Sequence, residues 1–329
     1  MMRLPKFRYV EPRSLKDAAS ILATEGPSAM PLAGGTDLFP NMKRRHQTPK
    51  TLVALGALPR FAGVRGSAPK GFSIGAGTTL TALEEHGGIR RAWPGLHEAV
   101  KSISTPILRN MGTLGGNICL DTRCNYYNQN YEWRRAIHFC MKCDGDTCWV
   151  APGSDTCLAV SSSDSAPMLC ALDARLHLVS KAGERTIAAR ELFARDGIKY
   201  LTKAPEEILT QIDLPPVDGW RTTYRKLRRR EAFDFPVLGI AVALRFEQEV
   251  VAEARLWLGA VAEAPIEAAA AAKALAGRPL ADEAIEEASR LAFPVAKPVD
   301  NTDFGVRWRK EMSRIMTRDA LRSLRSQTR

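Results

Sequence analysis

The sequence contains no run of eighteen apolar residues, so we expect no membrane-spanning helix. Its first residues, MMRLPKFRYVEP, lack the apolar segment of a secretory signal peptide. These two absences predict a cytoplasmic protein, in which thiols stay reduced and disulfides are rare. The odd number of cysteines, seven, also argues against a disulfide framework.

Histidine is scarce as well, and the five histidines show neither the spacing of a metal site nor that of a catalytic triad. The glycine-rich segments match neither the Rossmann fingerprint nor the P-loop. The net charge is +11, from 47 basic and 36 acidic residues, but no zinc-finger, RRM, KH or helix-turn-helix signature accompanies it. We therefore expect no nucleic-acid partner. The basic excess, concentrated at 221–230 and 307–329, is interpreted as a solvated face or a contact with acidic partner subunits or an anionic cofactor.

What the sequence does contain is a cluster of cysteines. Five of the seven lie between 124 and 157, and Cys119 lies just upstream. Cys124, Cys140, Cys148 and Cys157 follow one another at steps of sixteen, eight and nine residues. Four thiolates suit one tetrahedral site of zinc or an iron–sulfur cluster, and spacing alone leaves both open. Few aliphatic residues lie between 125 and 149, so we expect this segment to need a metal in order to fold.

The sequence predicts two α/β units followed by a separate α+β domain. The first unit has a helix capped by Ser14 and ended by Gly26–Pro27, with strands near 30–33 and 51–55. The second unit has predicted strands at 72–75, 175–179 and 207–214, a helix capped by Thr78 or Thr79, and a helix at 96–104. A linker at 215–219 precedes strands at 222–227, 237–246 and 252–261 and helices at 265–276, 282–291 and 306–325.

Two glycine loops, 32–38 and 112–117, point to an anionic ligand. Paired glycines let main-chain N–H groups approach an anion closely. Each loop taken singly is more often a tight turn. Two such loops in one domain fit the two phosphates of one bound dinucleotide.

The segments LAGGTDL, GAGTTL, RNMGTLGGNIC and SSSDSAPM together resemble the FAD-binding subunits of the molybdenum hydroxylases, over essentially the whole chain. This resemblance implies an α+β fold: a two-part α/β FAD-binding domain of the PCMH type, followed by a three-stranded α+β domain. The implied limits are 1–216 for the FAD-binding domain, divided into 1–58 and 59–216 with an insertion at about 121–160, and 217–329 for the second domain.

The same resemblance implies the residues that bind FAD. The pyrophosphate would lie on the two loops, Ile103 and Leu209 would pack against the flavin or ribityl, and Asp164 would hydrogen-bond the flavin side. Lys226 would approach the isoalloxazine from the second domain. The full implied set is Leu32, Ala33, Gly34, Gly35, Thr36, Asp37, Leu38, Ile103, Thr113, Leu114, Gly115, Gly116, Asn117, Asp164, Leu209 and Lys226.

The cysteine insertion narrows the resemblance to the β subunits of the 4-hydroxybenzoyl-CoA reductase group, in which such an insertion carries a [4Fe–4S] cluster. This implies that Cys124, Cys140, Cys148 and Cys157 are the cluster ligands. Cys119 and Cys170 do not fit the stepped series. Cys143 could replace Cys140 geometrically, and it is left out because the series matches the group without it.

The chain itself shows no molybdenum-pterin or [2Fe–2S] signature, so we predict an electron-transfer subunit with no catalytic residue of its own. The resemblance implies electron flow from ferredoxin through [4Fe–4S] and FAD to a small [2Fe–2S] subunit and a molybdenum subunit, in a doubled heterotrimer. The net reaction would convert 4-hydroxybenzoyl-CoA to benzoyl-CoA. Two alternatives stay open: an FAD subunit of a carbon monoxide dehydrogenase or aldehyde oxidase type enzyme, and a zinc-stabilised scaffold subunit without catalysis.

Overall fold

The computed structural model describes residues 3–326 of the chain. It opens with a small parallel sheet of three strands in the order β1-β3-β2, with helix α1 after β1 and helix α2 after β2. The elements are β1 (Arg8–Val10), α1 (Leu15–Glu25), β2 (Ala29–Leu32), α2 (Leu38–Lys43) and β3 (Thr51–Ala54). Ser14 caps α1 as predicted, because its hydroxyl accepts the Asp17 N–H at 3.1 Å.

The second region contains an antiparallel five-stranded sheet in the order β4-β5-β8-β6-β7, with most of its helices inserted between β5 and β6. Its elements are β4 (Val64–Ser67), β5 (Gly71–Gly75), α3 (Leu80–Glu85), α4 (Gly87–Ala92), α5 (Pro94–Lys101), α6 (Pro106–Arg109), α7 (Leu114–Ile118), α8 (Tyr131–Ala136), α9 (Ser165–Ala171), β6 (Arg175–Ser180), β7 (Gly183–Ala188) and β8 (Ile208–Leu214). Thr79 caps α3, which settles the two predicted alternatives for that cap.

The third region is an antiparallel sheet covered on one face by three helices. Its elements are β9 (Trp220–Leu227), β10 (Leu238–Glu247), β11 (Val250–Gly259), β12 (Ile266–Glu267), α10 (Ala269–Leu275), β13 (Arg278–Pro279), α11 (Asp282–Ala292) and α12 (Val306–Ser326). The sequence predicts the three long strands. It does not predict β12 and β13, because two residues are too few to show a strand's alternation.

Helix α5 joins the second region to the third. The Glu98 carboxylate accepts hydrogen bonds from the Thr223 hydroxyl at 2.9 Å and the Tyr224 N–H at 2.8 Å, both on β9. The Gly95 N–H donates to the Thr222 hydroxyl at 3.0 Å. One apolar core runs through this junction and includes residues of both sheets. A second core lies between the last sheet and α10–α12.

The basic face of α12 is partly neutralised within the chain. Arg325 lies 2.9 Å from Asp282, and Arg322 lies 3.2 Å from Glu286, both on α11. Arg309 is fully buried and donates to three main-chain carbonyls. Arg329, part of the predicted basic cluster, lies outside the described residues.

The cysteine segment closes at its base and touches the third region. Residues 123 and 160 pair through two backbone hydrogen bonds of 2.9 and 2.7 Å. The Asn301 carbonyl accepts the Asn125 N–H at 2.9 Å, and the Asn301 amide donates to the Leu158 carbonyl at 2.6 Å. Within residues 3–326, no helix is long and apolar enough to cross a membrane.

Candidate functional site

The first glycine loop leaves a row of main-chain donors free. It connects β2 to α2, and Gly35 adopts a φ of +70°, a conformation that glycine reaches without strain. The backbone N–H groups of residues 34–37 donate to no acceptor in the described part of the chain. Successive free N–H groups form an anion-binding concavity, so this loop can hold a phosphate.

The second loop is the start of a short helix rather than an irregular turn. Thr113 caps α7, because its hydroxyl accepts the Gly116 N–H at 3.0 Å. The Gly115 N–H donates to the Ala76 carbonyl at 2.8 Å, and a side chain at Gly115 would collide with Ala76. The glycine at 115 therefore lets the helix lie directly on the segment after β5.

The two loops touch each other. A Cβ added to Gly34 would lie 1.8 Å from the carbonyl oxygen of Met111, the residue immediately before the second loop. A Cβ added to Gly112 would lie 3.3 Å from the Thr36 hydroxyl. Only glycine fits at Gly34, and this contact brings both phosphate-binding candidates to one place.

A cavity of about 730 Å³ opens between these loops, which is within the usual size range of cofactor sites. It is lined by every predicted FAD residue except Leu114, Asp164 and Lys226. The predicted residues in its wall are Leu32, Ala33, Gly34, Gly35, Thr36, Asp37, Leu38, Ile103, Thr113, Gly115, Gly116, Asn117 and Leu209. An apolar cleft with free main-chain donors at its base fits a flavin dinucleotide.

The three remaining predicted residues do not line the cavity. Leu114 is fully buried in the core. The Asp164 carboxylate and the Lys226 ammonium form a buried ion pair of 2.8 Å. Tyr224 donates to the same carboxylate at 2.9 Å, and Lys226 also donates to the Ser102 carbonyl at 3.0 Å. Burial raises the pKa of Asp164, and the charge of Lys226 acts against that shift.

Asn117 ties the second loop to the Ser-Asp motif. Its side-chain carbonyl accepts the Ser163 hydroxyl at 2.8 Å and the Ser165 hydroxyl at 2.6 Å. The two segments are 46 residues apart in the chain, and the cysteine segment lies between them. The flanking scaffold is thus held together independently of the cysteines.

Several cavity residues were not predicted from the sequence. They come from segments distant in the chain, and no local motif marks them; they include Gln47, Phe61, Asp121, Lys199, Tyr200 and Phe235. Phe235 lies under the Arg123 guanidinium, 3.7 Å from the ring centre. Arg123 also pairs with Asp37, and burial raises the pKa of that carboxyl. Arg123 therefore links Asp37 and Phe235, two residues of the cavity wall.

A second, smaller pocket lies inside the cysteine segment. The four cysteines of the stepped series, Cys124, Cys140, Cys148 and Cys157, all line it and are all buried. Cys143 does not line it, and the Cys143 thiol instead contacts Arg134 and Asp144. None of the seven cysteines forms a disulfide.

Four buried thiols are a donor set for a soft metal centre. Burial raises the pKa values of Cys124 and Cys157 to about 11 and also raises that of Cys140. Among residues 3–326, however, no three His, Cys, Asp or Glu side chains converge tightly enough to hold a single metal ion. The four thiols share one small pocket, but in the described residues they do not form a preformed site for a single ion.

Comparison with protein families divides the chain into two matched parts. The FAD binding domain in molybdopterin dehydrogenase matches residues 5–217. The CO dehydrogenase flavoprotein C-terminal domain matches residues 222–324. These matches confirm the predicted fold class. The predicted limits at 58, 216 and 217, and the insertion limits of about 121–160, stay predictions.

Individual proteins match over almost the whole chain. The carbon monoxide dehydrogenase medium chain of Afipia carboxidovorans is 31% identical over 316 residues, covering 96% of this chain and 95% of that protein. The glyceraldehyde dehydrogenase medium chain of Sulfolobus acidocaldarius is 28% identical, covering 97% and 99%. A crystal structure of the Cu,Mo-CO dehydrogenase superposes with a TM-score of 0.81 at 28% identity, covering 98% of this chain and 99% of that one.

Proposed function

The chain belongs to the family of FAD-binding subunits of the molybdenum hydroxylases, and from this premise we propose that it is the electron-transfer subunit of a larger oxidoreductase. The single observation that carries this is the cavity of about 730 Å³ between two touching glycine loops. FAD, when bound, supplies one- and two-electron redox chemistry.

The proposed roles of the cavity residues follow from their geometry. The free N–H groups of residues 34–37 would neutralise one phosphate of the pyrophosphate, and the start of α7 at Thr113 would lie against the other. Ile103 and Leu209 would exclude water from the flavin. Asp164 and Lys226 would act from behind the wall, by fixing Ser102 next to Ile103.

We further propose that Cys124, Cys140, Cys148 and Cys157 hold a [4Fe–4S] cluster. The support is that these four thiols line one buried pocket while Cys143 does not. A [4Fe–4S] cubane is held by four cysteine thiolates, which is the number that this pocket offers.

The partners proposed for this chain are a molybdenum-cofactor subunit and a small [2Fe–2S] subunit. The matched relatives support this, since they are named as medium chains of dehydrogenases or as the FAD-binding subunit of an aldehyde oxidoreductase. The doubled heterotrimer and the ferredoxin donor are finer proposals, and they rest only on the resemblance of the cysteine segment.

Two classes of substrate are candidates for the complete enzyme. The named relatives act on carbon monoxide, aldehydes or xanthine, and they support the dehydrogenase alternative better than a 4-hydroxybenzoyl-CoA reductase. The cysteine pocket is the observation that keeps the reductase as a candidate. The substrate would bind to the molybdenum subunit in either case.

The test starts with the purified chain, handled without oxygen. We expect one FAD, four irons and four sulfides per chain, and reduction of both centres by dithionite. Zinc without iron would overturn the cluster and support the scaffold alternative. Absence of FAD would overturn the flavoprotein proposal.

The second stage uses the chain co-expressed with both partner subunits. Dehydroxylation of 4-hydroxybenzoyl-CoA with a low-potential donor would support the reductase. Oxidation of carbon monoxide, an aldehyde or xanthine would assign the dehydrogenase alternative. Turnover by the isolated chain would contradict the role of an electron-transfer subunit.

A further inference from the structure

A buried ion pair lies in the wall between the two pockets. Lys142 lines the cysteine pocket, and Asp121 lines the flavin cavity. The Lys142 ammonium and the Asp121 carboxylate are 2.7 Å apart, and their side chains are 6% and 8% exposed. Each member of the pair faces a different pocket.

The cation is fixed by further contacts. Lys142 also donates to the Gly197 carbonyl at 2.6 Å and to the Thr122 hydroxyl. The rings of Tyr127 and Tyr200 lie 4.8 and 5.2 Å from its nitrogen. These contacts leave the ammonium little freedom to turn toward solvent or toward the flavin cavity.

The Asp121 carboxylate is also held by several hydrogen bonds. One oxygen of Asp121 accepts Lys142, and the other accepts the Tyr127 hydroxyl at 3.2 Å and the Gln47 amide at 3.4 Å. Tyr127 itself lines the cysteine pocket and Gln47 lines the flavin cavity. One layer of hydrogen-bonded side chains therefore separates the two cofactor sites.

We propose that the Lys142–Asp121 pair sets the difference between the reduction potentials of the two centres, with its cation toward the cluster and its anion toward the flavin. This inference rests on the proposed cofactors. A nearby positive charge stabilises a reduced cluster, and a nearby negative charge disfavours a reduced flavin. The nearer member of the pair dominates at each centre, because interaction energy falls with distance and the buried pair is poorly screened.

The pair therefore shifts the one-electron equilibrium between flavin and cluster toward the reduced cluster. When one electron moves between the centres, one centre is oxidised as the other is reduced, and no bond forms or breaks.

The test is a redox titration of the anaerobic, cofactor-loaded chain, with the cluster followed by EPR and the flavin by absorbance. Lys142→Met should lower the cluster potential more than the flavin potential. Asp121→Asn should raise the flavin potential more than the cluster potential. Each change should move the one-electron equilibrium toward the flavin by roughly tenfold, which is about 59 mV.

Two controls separate charge from structure. Lys142→Arg keeps the charge and should leave both potentials nearly in place. Arg135→Gln removes a cation of the same segment whose side chain is 65% exposed, and water should screen its loss. Unchanged potentials in Lys142→Met with iron retained, or equal shifts of both centres in Asp121→Asn, would overturn the inference.

Failure of the cofactor proposal and failure of the ion-pair inference give different results in these experiments. A wild-type chain without iron would refute the cluster, and the flavin potential of Asp121→Asn would still test the anion's role. If Lys142→Met loses its iron, the relative sizes of the two shifts in Asp121→Asn still test the inference: the flavin potential should rise more than the cluster potential.

Discussion

The Asp164 carboxylate lies 2.8 Å from the Lys226 ammonium, and both side chains are at least 96% buried. The two residues come from the start of α9 and from β9, so the pair crosses the junction of the second and third regions. The sequence resemblance implies that both residues reach the flavin. In the structure they pair with each other. Asp164 also accepts a hydrogen bond from Tyr224, and Lys226 also donates one to the Ser102 carbonyl.

Asp164→Asn should destabilise the protein, because it leaves the buried Lys226 charge without a partner. Loss of one member of a buried pair typically costs about 3–5 kcal/mol. The free energy of unfolding, measured by urea titration, should fall by that order. Asp173→Asn, at an exposed pair with Arg190, should cost less than about 1 kcal/mol. Equal effects of the two changes would contradict the structural role of Asp164.

Gly34→Ala should abolish FAD binding, because its Cβ would lie 1.8 Å from the Met111 carbonyl and force the two loops apart. Flavin content after purification and the dissociation constant of added FAD both measure this. Gly56→Ala is a matched control, since a Cβ there meets nothing within 4 Å. Stoichiometric FAD in the Gly34→Ala protein would refute the two-loop model of the site.

Cys148→Ser should remove the iron and loosen residues 122–160, because metal binding contributes folding free energy to such a segment. Limited proteolysis within the segment should increase. FAD should stay bound, since Asn117 connects the flanking scaffold without the cysteines. Cys143→Ser should leave the iron content nearly unchanged, and iron loss in that variant would show that the ligand assignment is wrong.

His46 should make the protein less stable in mild acid. Burial lowers the pKa of His46 from 6.5 to about 4, and its ring stacks on Tyr127. The unfolded chain therefore binds a proton in a pH range where the folded protein does not. The stabilisation is complete above pH 6.5 and is lost as the pH falls toward 4. Because the ring is only partly buried, we expect a loss of roughly 1–2 kcal/mol.

Thermal unfolding at pH 7.5 and pH 5 measures this loss. His46→Phe keeps the stacked ring and should reduce the difference in melting temperature between the two pH values. His138→Asn, at an exposed histidine of the cysteine segment, should not reduce that difference. An unchanged difference in the His46→Phe protein would contradict the assignment.

The features that the sequence predicts well are those encoded locally. Glycine pairs next to Thr36 and Thr113 mark both loops, because backbone freedom and capping depend on adjacent residues. Strand β10 begins with a continuous apolar run, and strand β11 alternates apolar and charged residues before an apolar end. The cysteine series identifies four thiols that the structure brings to one pocket.

The features that the sequence does not predict depend on distant packing. Asp121, Tyr200 and Phe235 enter the cavity wall from three separate segments, and none belongs to a recognisable motif. The pairing of Asp164 with Lys226 also requires knowing how β9 lies against α9. No local sequence pattern predicts that Asp164 and Lys226, which are 62 residues apart in the chain, form a buried ion pair.

The contacts of Asn301 have a consequence for biosynthesis. Asn301 follows the last of the four cysteines by 144 residues and the first by 177, so the newly synthesised insertion at first has no partner for the Asn125 N–H or the Leu158 carbonyl. Synthesis of Asn301 would then precede secure loading of the proposed cluster. In cells, Asn301→Ala should delay iron incorporation relative to chain synthesis, which pulse labelling with radioactive iron would measure. Equal delays in wild-type and variant chains would show that assembly does not wait for the carboxyl-terminal part.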